Sequence, residues 1–336
     1  MAVKVAINGF GRIGRAILRT FVESGNKDIE IVAINDLGSI EANGHLIRYD
    51  SVHGTFQRKV KVSGDVIDVG FGPIKVTAIR DPKQLPWDGI DVVMECTGAF
   101  ASREKALAHL SNGSKRVLVS APCGGADKTI VYGINHNVLT KDDIVISNAS
   151  CTTNCLAPVV YTLNKEFGIK KGYMTTVHSY TSDQPVLDSS HRDLYRSRSA
   201  ALSMIPTSTG AAQAIGLVLP ELKGKLAGSA IRVPTPNVSV IDLKILLVKK
   251  VKEEEINEVI KIASEGQLKN ILSYVTEPLV SVDFNHDPHS SIFVADQTKV
   301  VDEDLVRVMA WYDNEWGFSN RMLDTAAAIG KFLKDI

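Results

Sequence analysis

The sequence predicts an α/β protein in two parts, a doubly wound parallel sheet followed by an α+β unit with a mixed, mostly antiparallel sheet. Up to residue 150, continuous apolar runs alternate with stretches of helical periodicity, which is typical of parallel sheets covered on both faces. Beyond that point the strand-like runs become longer and partly alternating. The length of 336 residues also favours two domains over one.

The first part is predicted to alternate strands and helices. Val3–Asn8 and Ile29–Asn35 are expected to be buried strands because their apolar runs are almost continuous. Arg12–Ser24, between them, carries apolar side chains at helical spacing. The alternation continues with strands predicted at 91–96, Arg116–Val119 and 144–146, and with a helical stretch at 102–110.

The second part has fewer helical signals and more strands. Strands are predicted at 172–177, 239–249, 279–285, 291–301 and 305–312, a helix at 253–266, and a final docking helix at 317–336. Residues 179–203 follow neither period and hold Arg192, Arg196 and Arg198. We refer to them as the arginine-bearing loop. A loop of this length inside a compact domain is usually functional.

Composition excludes several classes of partner. Lys+Arg and Asp+Glu are balanced at 38 each, so no global charge would attract nucleic acid or an anionic membrane. No apolar stretch approaches the ~18–20 residues of a membrane span, and the N-terminus does not resemble a signal peptide. Four scattered cysteines do not form a disulfide framework. We therefore expect a cytoplasmic protein without membrane or nucleic-acid partners.

A dinucleotide site is predicted where the first strand meets the first helix. Residues 9–14 read G-F-G-R-I-G, with Gly9 and Gly11 at the turn, and Asp36 follows the last glycine by 22 residues at the end of the next strand. This is the strand–turn–helix context that a Rossmann-type site requires, whereas the glycines alone would also suit a tight turn without ligand. Asp36 can bind both ribose hydroxyls and would repel a 2′-phosphate, which favours NAD over NADP.

The stretch S-N-A-S-C-T-T-N-C-L-A-P places Cys151 and Cys155 at the start of a predicted helix. The helix N-terminus is expected to lower the pKa of the Cys151 thiol and so favour the nucleophilic thiolate. Cys155 lies one turn further, where the two side chains are poorly arranged for a disulfide. A zinc site would need additional ligands. We interpret Cys155 as a buried packing residue.

A base and several anion donors accompany the predicted nucleophile. His178 ends a predicted strand 27 residues after Cys151, where a helix and a returning strand would bring it back to the same edge. His286 and His289 are better interpreted as a polar turn than as a metal pair. The phosphate donors predicted from Gly/Pro-marked segments are Ser150, Thr152, Thr181, Thr209, Gly210 and Arg232. Together these features predict aldehyde oxidation through a thioester.

The motifs resemble those of the phosphorylating glyceraldehyde-3-phosphate dehydrogenases. The resemblance covers essentially the whole chain, through NGFGRIGR, ASCTTNCLAP, HSYTSDQ, PTSTGAA, RVPTPNVSV and WYDNEWGFSNR in that order. It implies a Rossmann NAD-binding domain at 1–150, completed by the C-terminal helix at 317–336, and a catalytic domain at 151–316. It also implies a cytoplasmic homotetramer in which the arginine-bearing loop lies near the cofactor and the subunit interface.

The resemblance also implies the reaction and its residues. Cys151 would form a thiohemiacetal and then a thioester, with His178 as base, NAD as hydride acceptor and inorganic phosphate as second substrate. The product from glyceraldehyde 3-phosphate would be 1,3-bisphosphoglycerate, a step of glycolysis and gluconeogenesis. The implied cofactor-binding residues are Gly9, Gly11, Arg12, Ile13, Asp36, Arg80, Ser120 and Asn314. The implied substrate- and phosphate-binding residues are Ser150, Thr152, Thr181, Arg198, Thr209, Gly210 and Arg232, with Arg196 as a second candidate in the arginine-bearing loop.

Two departures from the family pattern define alternatives. Ser189-Ser190 stands where the most NAD-restricted members carry Leu-Pro, which could relax the discrimination against NADP. SVDFNHDPHSS also resembles erythrose-4-phosphate dehydrogenase, whereas HSYTSDQ and PTSTGAA favour the triose enzyme. An NAD-binding module that acts only through its surface is the alternative from another class, and the Cys151–His178 pair argues against it.

Overall fold

The computed structural model describes residues 2–333, and internal contacts divide these into two compact units. The first unit comprises the chain up to residue 132, residues 136–149 and the chain from 319 onward. The second comprises residues 133–135 and 150–318. The domain boundaries near residues 150 and 317 stay a prediction, and residues 334–336 of the predicted last helix lie outside the described part.

The first unit is built on a nine-stranded, mainly parallel sheet. Its strand order is β10-β11-β9-β8-β1-β2-β7-β6-β5, and every pair from β10 to β7 is parallel. The elements up to residue 149 are β1 (Val3–Asn8), α1 (Arg12–Ser24), β2 (Ile29–Asn35), α2 (Ile40–Arg48), β3 (Tyr49–Asp50), β4 (Gly54–Thr55), β5 (Lys61–Ser63), β6 (Val66–Asp68), β7 (Pro73–Thr77), β8 (Val92–Glu95), α3 (Arg103–Ala106), β9 (Arg116–Val119), β10 (Lys128–Thr129) and β11 (Val145–Ser147). The predicted parallel sheet is confirmed, and an antiparallel edge of β5 to β7 is added to it.

The second unit carries an eight-stranded mixed sheet. Its order is β13-β14-β12-β15-β19-β17-β16, with β18 also paired to β19, and only β12–β14 and β16–β17 are parallel. The remaining elements are α4 (Cys151–Phe167), β12 (Ile169–Ser179), β13 (Ile205–Ser208), α5 (Ala211–Val218), β14 (Leu226–Val233), β15 (Ser239–Leu247), α6 (Glu253–Glu265), β16 (Leu272–Val275), β17 (Ser291–Val294), β18 (Lys299–Val301), β19 (Leu305–Tyr312) and α7 (Trp316–Lys331). The predicted mixed, mostly antiparallel sheet is confirmed.

Some predicted elements differ from the observed ones. The predicted strand at 279–285 is wrong, because Ser281–Phe284 forms a 3₁₀ turn. The Asp283 carboxylate accepts a hydrogen bond of 2.8 Å from the Val280 N–H, which closes the chain locally instead of leaving it extended. The predicted strand at 291–301 is interrupted by a 3₁₀ turn at Ala295–Gln297.

Helix α4 positions the site of the second unit. It packs on the mixed sheet against β15, β17 and β19. Cys155, Leu156, Val159, Val160 and Leu163 on this helix are fully buried. Burial of such an apolar face stabilises the packing of the helix by roughly 25 cal/mol per Å² of apolar surface. This packing holds the first turn of α4 in place at the edge of the sheet. No helix within residues 2–333 combines the length and apolar character needed to cross a membrane.

Candidate active site

A cavity of about 430 Å³ lies at the carboxyl ends of β1, β2 and β8 in the first unit. Its lining includes Gly9, Gly11, Asp36 and Arg80. Gly9 has a φ of +90°, and a Cβ there would lie 2.7 Å from the Thr97 side chain, so the position requires glycine. Gly11 precedes α1 without a side-chain cap, and a Cβ there would meet no atom within 4 Å. The N-terminus of this 13-residue helix can therefore receive a phosphate group.

Asp36 is fixed in the lining by backbone donors. Its Oδ2 accepts a hydrogen bond of 2.8 Å from the Phe10 N–H, and its Oδ1 accepts one of 2.8 Å from the Gly38 N–H. Each oxygen keeps acceptor capacity for a ribose hydroxyl. The fixed negative charge opposes a 2′-phosphate, so the residues present fit NAD.

A buried polar network that the sequence interpretation missed forms the floor of this cavity. Asn8 and Asn35 line the cavity, and the Asn35 Nδ2 donates to the Asn8 Oδ1 over 2.8 Å. The Asn8 Nδ2 donates over 2.6 Å to the buried Glu95 carboxylate, which also lies 2.7 Å from the His109 Nε2. Both asparagines end a parallel strand, in VKVAIN and IEIVAIN, and that shared position was the available signal.

The other residues implied for the cofactor in this unit lie outside the lining. Arg12 opens α1 and donates to Asp50 over 2.5 Å, with Ile13 next in the helix. Burial alone would raise the pKa of Asp50, but the His53 N–H and the Arg12 guanidinium lower it to about 2. Ser120 follows β9 directly. The contacts of Arg12, Ile13 and Ser120 with a cofactor stay predictions.

In the second unit the predicted nucleophile and base are neighbours. The Cys151 Sγ lies 3.6 Å from the His178 Nε2, at the start of α4 and the end of β12. The His178 Nδ1 lies 2.7 Å from the Ser179 carbonyl oxygen, which can only accept, so Nδ1 carries the proton. The lone pair of the neutral Nε2 therefore faces the sulfur.

Burial dominates the titration of both groups. It lowers the pKa of His178 to about 3, with a further contribution from the Arg232 guanidinium, and so keeps the imidazole neutral. Burial raises the pKa of the Cys151 thiol, although Arg232 and hydrogen bonds from Thr152 oppose it. The prediction of a lowered Cys151 pKa is therefore wrong. Burial of the sulfur raises this pKa by more than Arg232 and the hydrogen bonds from Thr152 lower it.

Arginine and threonine side chains form a cluster beside the pair. The Arg232 Nη1 donates to the Ser179 carbonyl over 3.0 Å and to the Thr181 Oγ1 over 2.8 Å. The Arg196 Nε donates to the Thr207 Oγ1 over 3.0 Å, and its Nη1 donates to Asp183 over 3.2 Å. Asp183 also accepts from the Thr181 hydroxyl, so it connects the two arginine positions.

The two loop arginines are placed differently. Arg196 is largely buried in this cluster, whereas the Arg198 Nε donates over 2.7 Å to Asp188 on the surface. The Arg198 and Asp188 side chains are 66% and 60% exposed. The geometry of the chain therefore favours Arg196 over Arg198 as the phosphate-binding side chain.

The remaining predicted phosphate donors lie at helix starts. Ser150 caps α4, and its Oγ accepts from the Thr153 N–H over 3.0 Å. Thr152 lies in the first turn of the same helix. Thr209 and Gly210 precede α5, with Gly210 as its N-cap and no side-chain cap bond. These placements supply hydroxyl and backbone N–H donors of the predicted kind.

Asn314 and Cys155 have distinct surroundings in this unit. The buried Asn314 Oδ1 accepts hydrogen bonds from the Ser179 Oγ over 3.0 Å and the Ser239 Oγ over 2.9 Å, which leaves its Nδ2 as the donor for a ligand. Cys155 is fully buried, and its Sγ lies 3.5 Å from the Ser291 Oγ. Burial raises the pKa of the Cys155 thiol, in agreement with a packing role.

Sequence reasoning missed Tyr312 at this site. Its ring meets His178 edge-on with centroids 5.9 Å apart, and its hydroxyl lies 2.8 Å from the Thr152 Oγ1. The available signal was its alternation on β19, which turns it to the buried face. Across the described residues, no group of three or more His, Cys, Asp or Glu side chains is placed to hold a metal ion.

Comparison with known proteins identifies the family. Residues 3–103 match the family model described as "Glyceraldehyde 3-phosphate dehydrogenase, NAD binding domain", and residues 150–314 match that of the "C-terminal domain". The chain is 66% identical over 333 residues to glyceraldehyde-3-phosphate dehydrogenase of Cereibacter sphaeroides, covering 99% of this chain and 100% of the relative. It is 66% identical over 333 residues to that of Xanthobacter flavus, covering 98% and 99%, and 56% identical over 337 residues to that of Zymomonas mobilis, covering 99% and 100%. The chain belongs to the glyceraldehyde-3-phosphate dehydrogenase family.

Proposed function

We propose that the chain catalyses the NAD-dependent, phosphorylating oxidation of D-glyceraldehyde 3-phosphate to 1,3-bisphosphoglycerate. The observation that supports this most directly is the Cys151 Sγ at 3.6 Å from the unprotonated His178 Nε2, in a chain whose similarity covers 100% of a family member. NAD, when bound, accepts the hydride from the substrate carbon. Its binding residues are Gly9, Gly11, Asp36 and Arg80, with Arg12, Ile13, Ser120 and Asn314 as further proposed contacts.

Cys151 and His178 carry the bond changes. Nε2 takes the thiol proton while the sulfur adds to the aldehyde carbon, and the new oxyanion takes this proton to give a thiohemiacetal. When hydride leaves that carbon, Nε2 accepts the hydroxyl proton and a thioester remains on Cys151. Inorganic phosphate then attacks the thioester carbon, and the sulfur departs as a thiolate.

Fixed donors stabilise the charges that develop. The backbone N–H of Cys151 and the His178 ring are proposed to bind the oxyanion, and loss of one such donor typically costs about 3–4 kcal/mol of transition-state stabilisation. The substrate phosphate and inorganic phosphate are proposed to bind among Arg232, Arg196 and nearby hydroxyl and backbone donors. Those donors are Ser150, Thr152, Thr181, Thr209 and Gly210, while Arg198 is the weaker candidate.

We further propose a cytoplasmic homotetramer. Four free cysteines within the described residues are consistent with a reducing compartment. The arginine-bearing loop exposes the large apolar side chains Val186, Leu187, Leu194 and Leu202, each more than 70% accessible in the single chain. Large apolar side chains exposed in one segment are typical of subunit interfaces when they form a patch.

The function is tested by its dependence on phosphate. The purified protein should reduce NAD with glyceraldehyde 3-phosphate only when inorganic phosphate or arsenate is present, and with higher kcat/KM than on erythrose 4-phosphate. Cys151→Ser should lower kcat by at least ~10³-fold while NAD binding persists. Cys155→Ser is the matched control and should keep most activity. Phosphate-independent turnover, or none in folded protein, would disprove the proposal.

A further inference from the structure

The polar network at the floor of the cofactor cavity ends in a buried carboxylate. Glu95, the last residue of β8, is 1% exposed. Its Oε1 accepts the Thr97 N–H over 2.7 Å and also the Thr97 hydroxyl. Its Oε2 accepts from the Asn8 Nδ2 over 2.6 Å and lies 2.7 Å from the His109 Nε2. An ionised carboxylate only accepts hydrogen bonds, so four donors converge on this one side chain.

Glu95 thereby fixes one wall of the cavity. The Thr97 hydroxyl, held by Glu95, accepts the Ala99 N–H over 3.0 Å, which closes the turn after β8. Phe100 in the same turn packs edge-on against the His109 ring, with centroids 5.4 Å apart. Thr97, Ala99 and Phe100 all line the cavity. The shape of this wall therefore depends on the Glu95 carboxylate.

The same network reaches a second wall through two asparagines. Ile79 donates its N–H to the Asn35 Oδ1 over 2.9 Å, and its carbonyl accepts from the Asn35 Nδ2 over 2.9 Å. These backbone groups determine which end of the Asn35 amide is oxygen. The Asn35 Nδ2 also donates to the Asn8 Oδ1 over 2.8 Å, so the Asn8 Nδ2 faces Glu95. Residue 95 must therefore present an acceptor, and Ile79 and the neighbouring Arg80 line the cavity too.

We propose that Glu95 is a positioning residue for NAD. It holds the turn at 97–100 directly, and it holds residues 79–80 through Asn8 and Asn35, before the cofactor binds. Walls that are already ordered lose less conformational freedom on binding, which favours affinity. The inference deepens the proposed function and rests on the assignment of this cavity to NAD.

Glutamine at position 95 keeps the size of the side chain and removes one acceptor. If its oxygen faces Thr97, its NH₂ group meets the Asn8 Nδ2, and two donors oppose each other. If its oxygen faces Asn8, the NH₂ group meets the Thr97 N–H, and the turn loses its anchor. Either orientation leaves one wall with an unpaired buried donor, which is unfavourable.

The test is NAD binding to the full-length protein by titration calorimetry, together with amide hydrogen exchange without cofactor. Glu95→Gln should weaken NAD binding about tenfold, because a buried hydrogen bond is lost. Amide exchange at Thr97 and Ile79 should become faster in the same variant. The KM for NAD should rise by a similar factor, while kcat at saturating NAD and the KM for glyceraldehyde 3-phosphate change little.

A second carboxylate of the same unit provides the matched control. Asp127 accepts the Ile144 N–H over 2.9 Å and the Val145 N–H over 2.8 Å, but it lies outside the cavity lining. Asp127→Asn should lower the unfolding free energy, because these bonds are weakened. It should leave NAD affinity and the exchange at Thr97 and Ile79 at wild-type values.

Reversing the direction of one hydrogen bond separates its orientation from packing. In Asn8→Asp two carboxylates face each other, which weakens NAD binding. When Asn8→Asp is combined with Glu95→Gln, the glutamine NH₂ group can donate to the new carboxylate, while its oxygen keeps both Thr97 contacts. The double variant should therefore bind NAD more tightly than Asn8→Asp alone.

Unchanged NAD affinity or unchanged exchange at Ile79 in folded Glu95→Gln overturns the proposal. An equal loss of affinity in Asp127→Asn, or a double variant that binds no more tightly than Asn8→Asp, overturns it as well. If Glu95→Gln fails to fold, Asn8→Ala decides, because it breaks the path to Ile79, and wild-type affinity in that variant overturns the proposal. Calorimetry needs neither aldehyde nor phosphate. Weakened binding in Glu95→Gln, without phosphate-dependent turnover by the wild type, would therefore disprove the proposed function and leave the role of Glu95 intact.

Discussion

At the scale of single residues, the Ser179 carbonyl oxygen determines what His178 can do. It accepts from the His178 Nδ1 over 2.7 Å and from the Arg232 Nη1 over 3.0 Å. The first bond fixes the tautomer, and the second places a positive charge near an imidazole that is already difficult to protonate. In the proposed reaction, His178 therefore acts as a neutral base that becomes charged only transiently.

The depressed pKa of His178 predicts a specific pH dependence of stability. Its pKa is about 3 in the folded protein and about 6.5 in an unfolded chain, so below pH 6.5 the unfolded state binds the extra proton. Stability is therefore lost as pH falls from 6.5 toward 3. Between pH 7 and pH 5, wild type should lose about 2 kcal/mol more unfolding free energy than His178→Asn.

Urea unfolding at fixed protein concentration measures this difference. His45→Asn replaces an exposed histidine on α2 and is the control. If His178→Asn and wild type lose equal free energy between pH 7 and pH 5, then His178 is not held neutral by burial.

Sequence reasoning reached these residues unevenly. Cys151 and His178 were predictable because Cys151 starts a helix and His178 lies near the end of a strand, both with a strong sequence pattern. An error of one residue in the predicted boundary changes the place of either side chain only slightly. Tyr312 was not, since its neighbours in space are 136 and 160 residues away along the chain. The raised pKa of Cys151 could not be predicted from the sequence either, because the burial that causes it depends on tertiary packing and not on a local motif.

At the scale of elements, the start of α4 combines a helix cap with a proposed phosphate site. The Ser150 Oγ accepts from the Thr153 N–H over 3.0 Å and lies 2.7 Å from the Thr153 Oγ1. Ser150 thus serves both as the helix cap and as a proposed phosphate donor. A substitution of this residue should therefore affect both the stability of the protein and its binding of phosphate.

Ser150→Ala should lower the unfolding free energy by about 1 kcal/mol, through loss of the cap, and raise the KM for phosphate several-fold. The KM for NAD should not change. Ser39→Ala is matched, since Ser39 caps α2 by accepting from the Ala42 N–H over 3.2 Å. It should lose similar stability with wild-type phosphate KM. An unchanged phosphate KM in Ser150→Ala would remove Ser150 from the proposed site.

Elements with strong periodicity were predictable, as was the short apolar strand at Arg116–Val119, but other short strands were not. The helix at Arg12–Ser24 and the strands at Ile29–Asn35 and Leu305–Tyr312 have the predicted bounds. Strands β5, β6 and β13 have only three or four residues, too few for a period to emerge. At 279–285 an alternating apolar pattern predicted a strand. The hydrogen bond from the Val280 N–H to the Asp283 carboxylate favours a 3₁₀ turn there instead.

At the scale of the whole molecule, the proposed homotetramer predicts a change of mass. Leu194 is 81% exposed in the single chain, and an aspartate there would place a charge in the proposed interface. Leu194→Asp should shift the mass in light scattering from about four times 36.5 kDa to that of a smaller species. Ile262→Asp, at an exposed apolar position on α6, should leave the mass unchanged. A wild-type monomer would contradict the proposal.

In the proposed reaction, Cys151 carries the acyl group between oxidation and phosphate transfer. Enzyme mixed with NAD and glyceraldehyde 3-phosphate without phosphate, quenched in acid and digested, should show a 3-phosphoglyceroyl group on the peptide that contains Cys151. The group should disappear when phosphate is added before the quench. An unmodified Cys151 peptide during a measurable burst of NADH, or an acyl group on another residue, would show that Cys151 does not carry the acyl group.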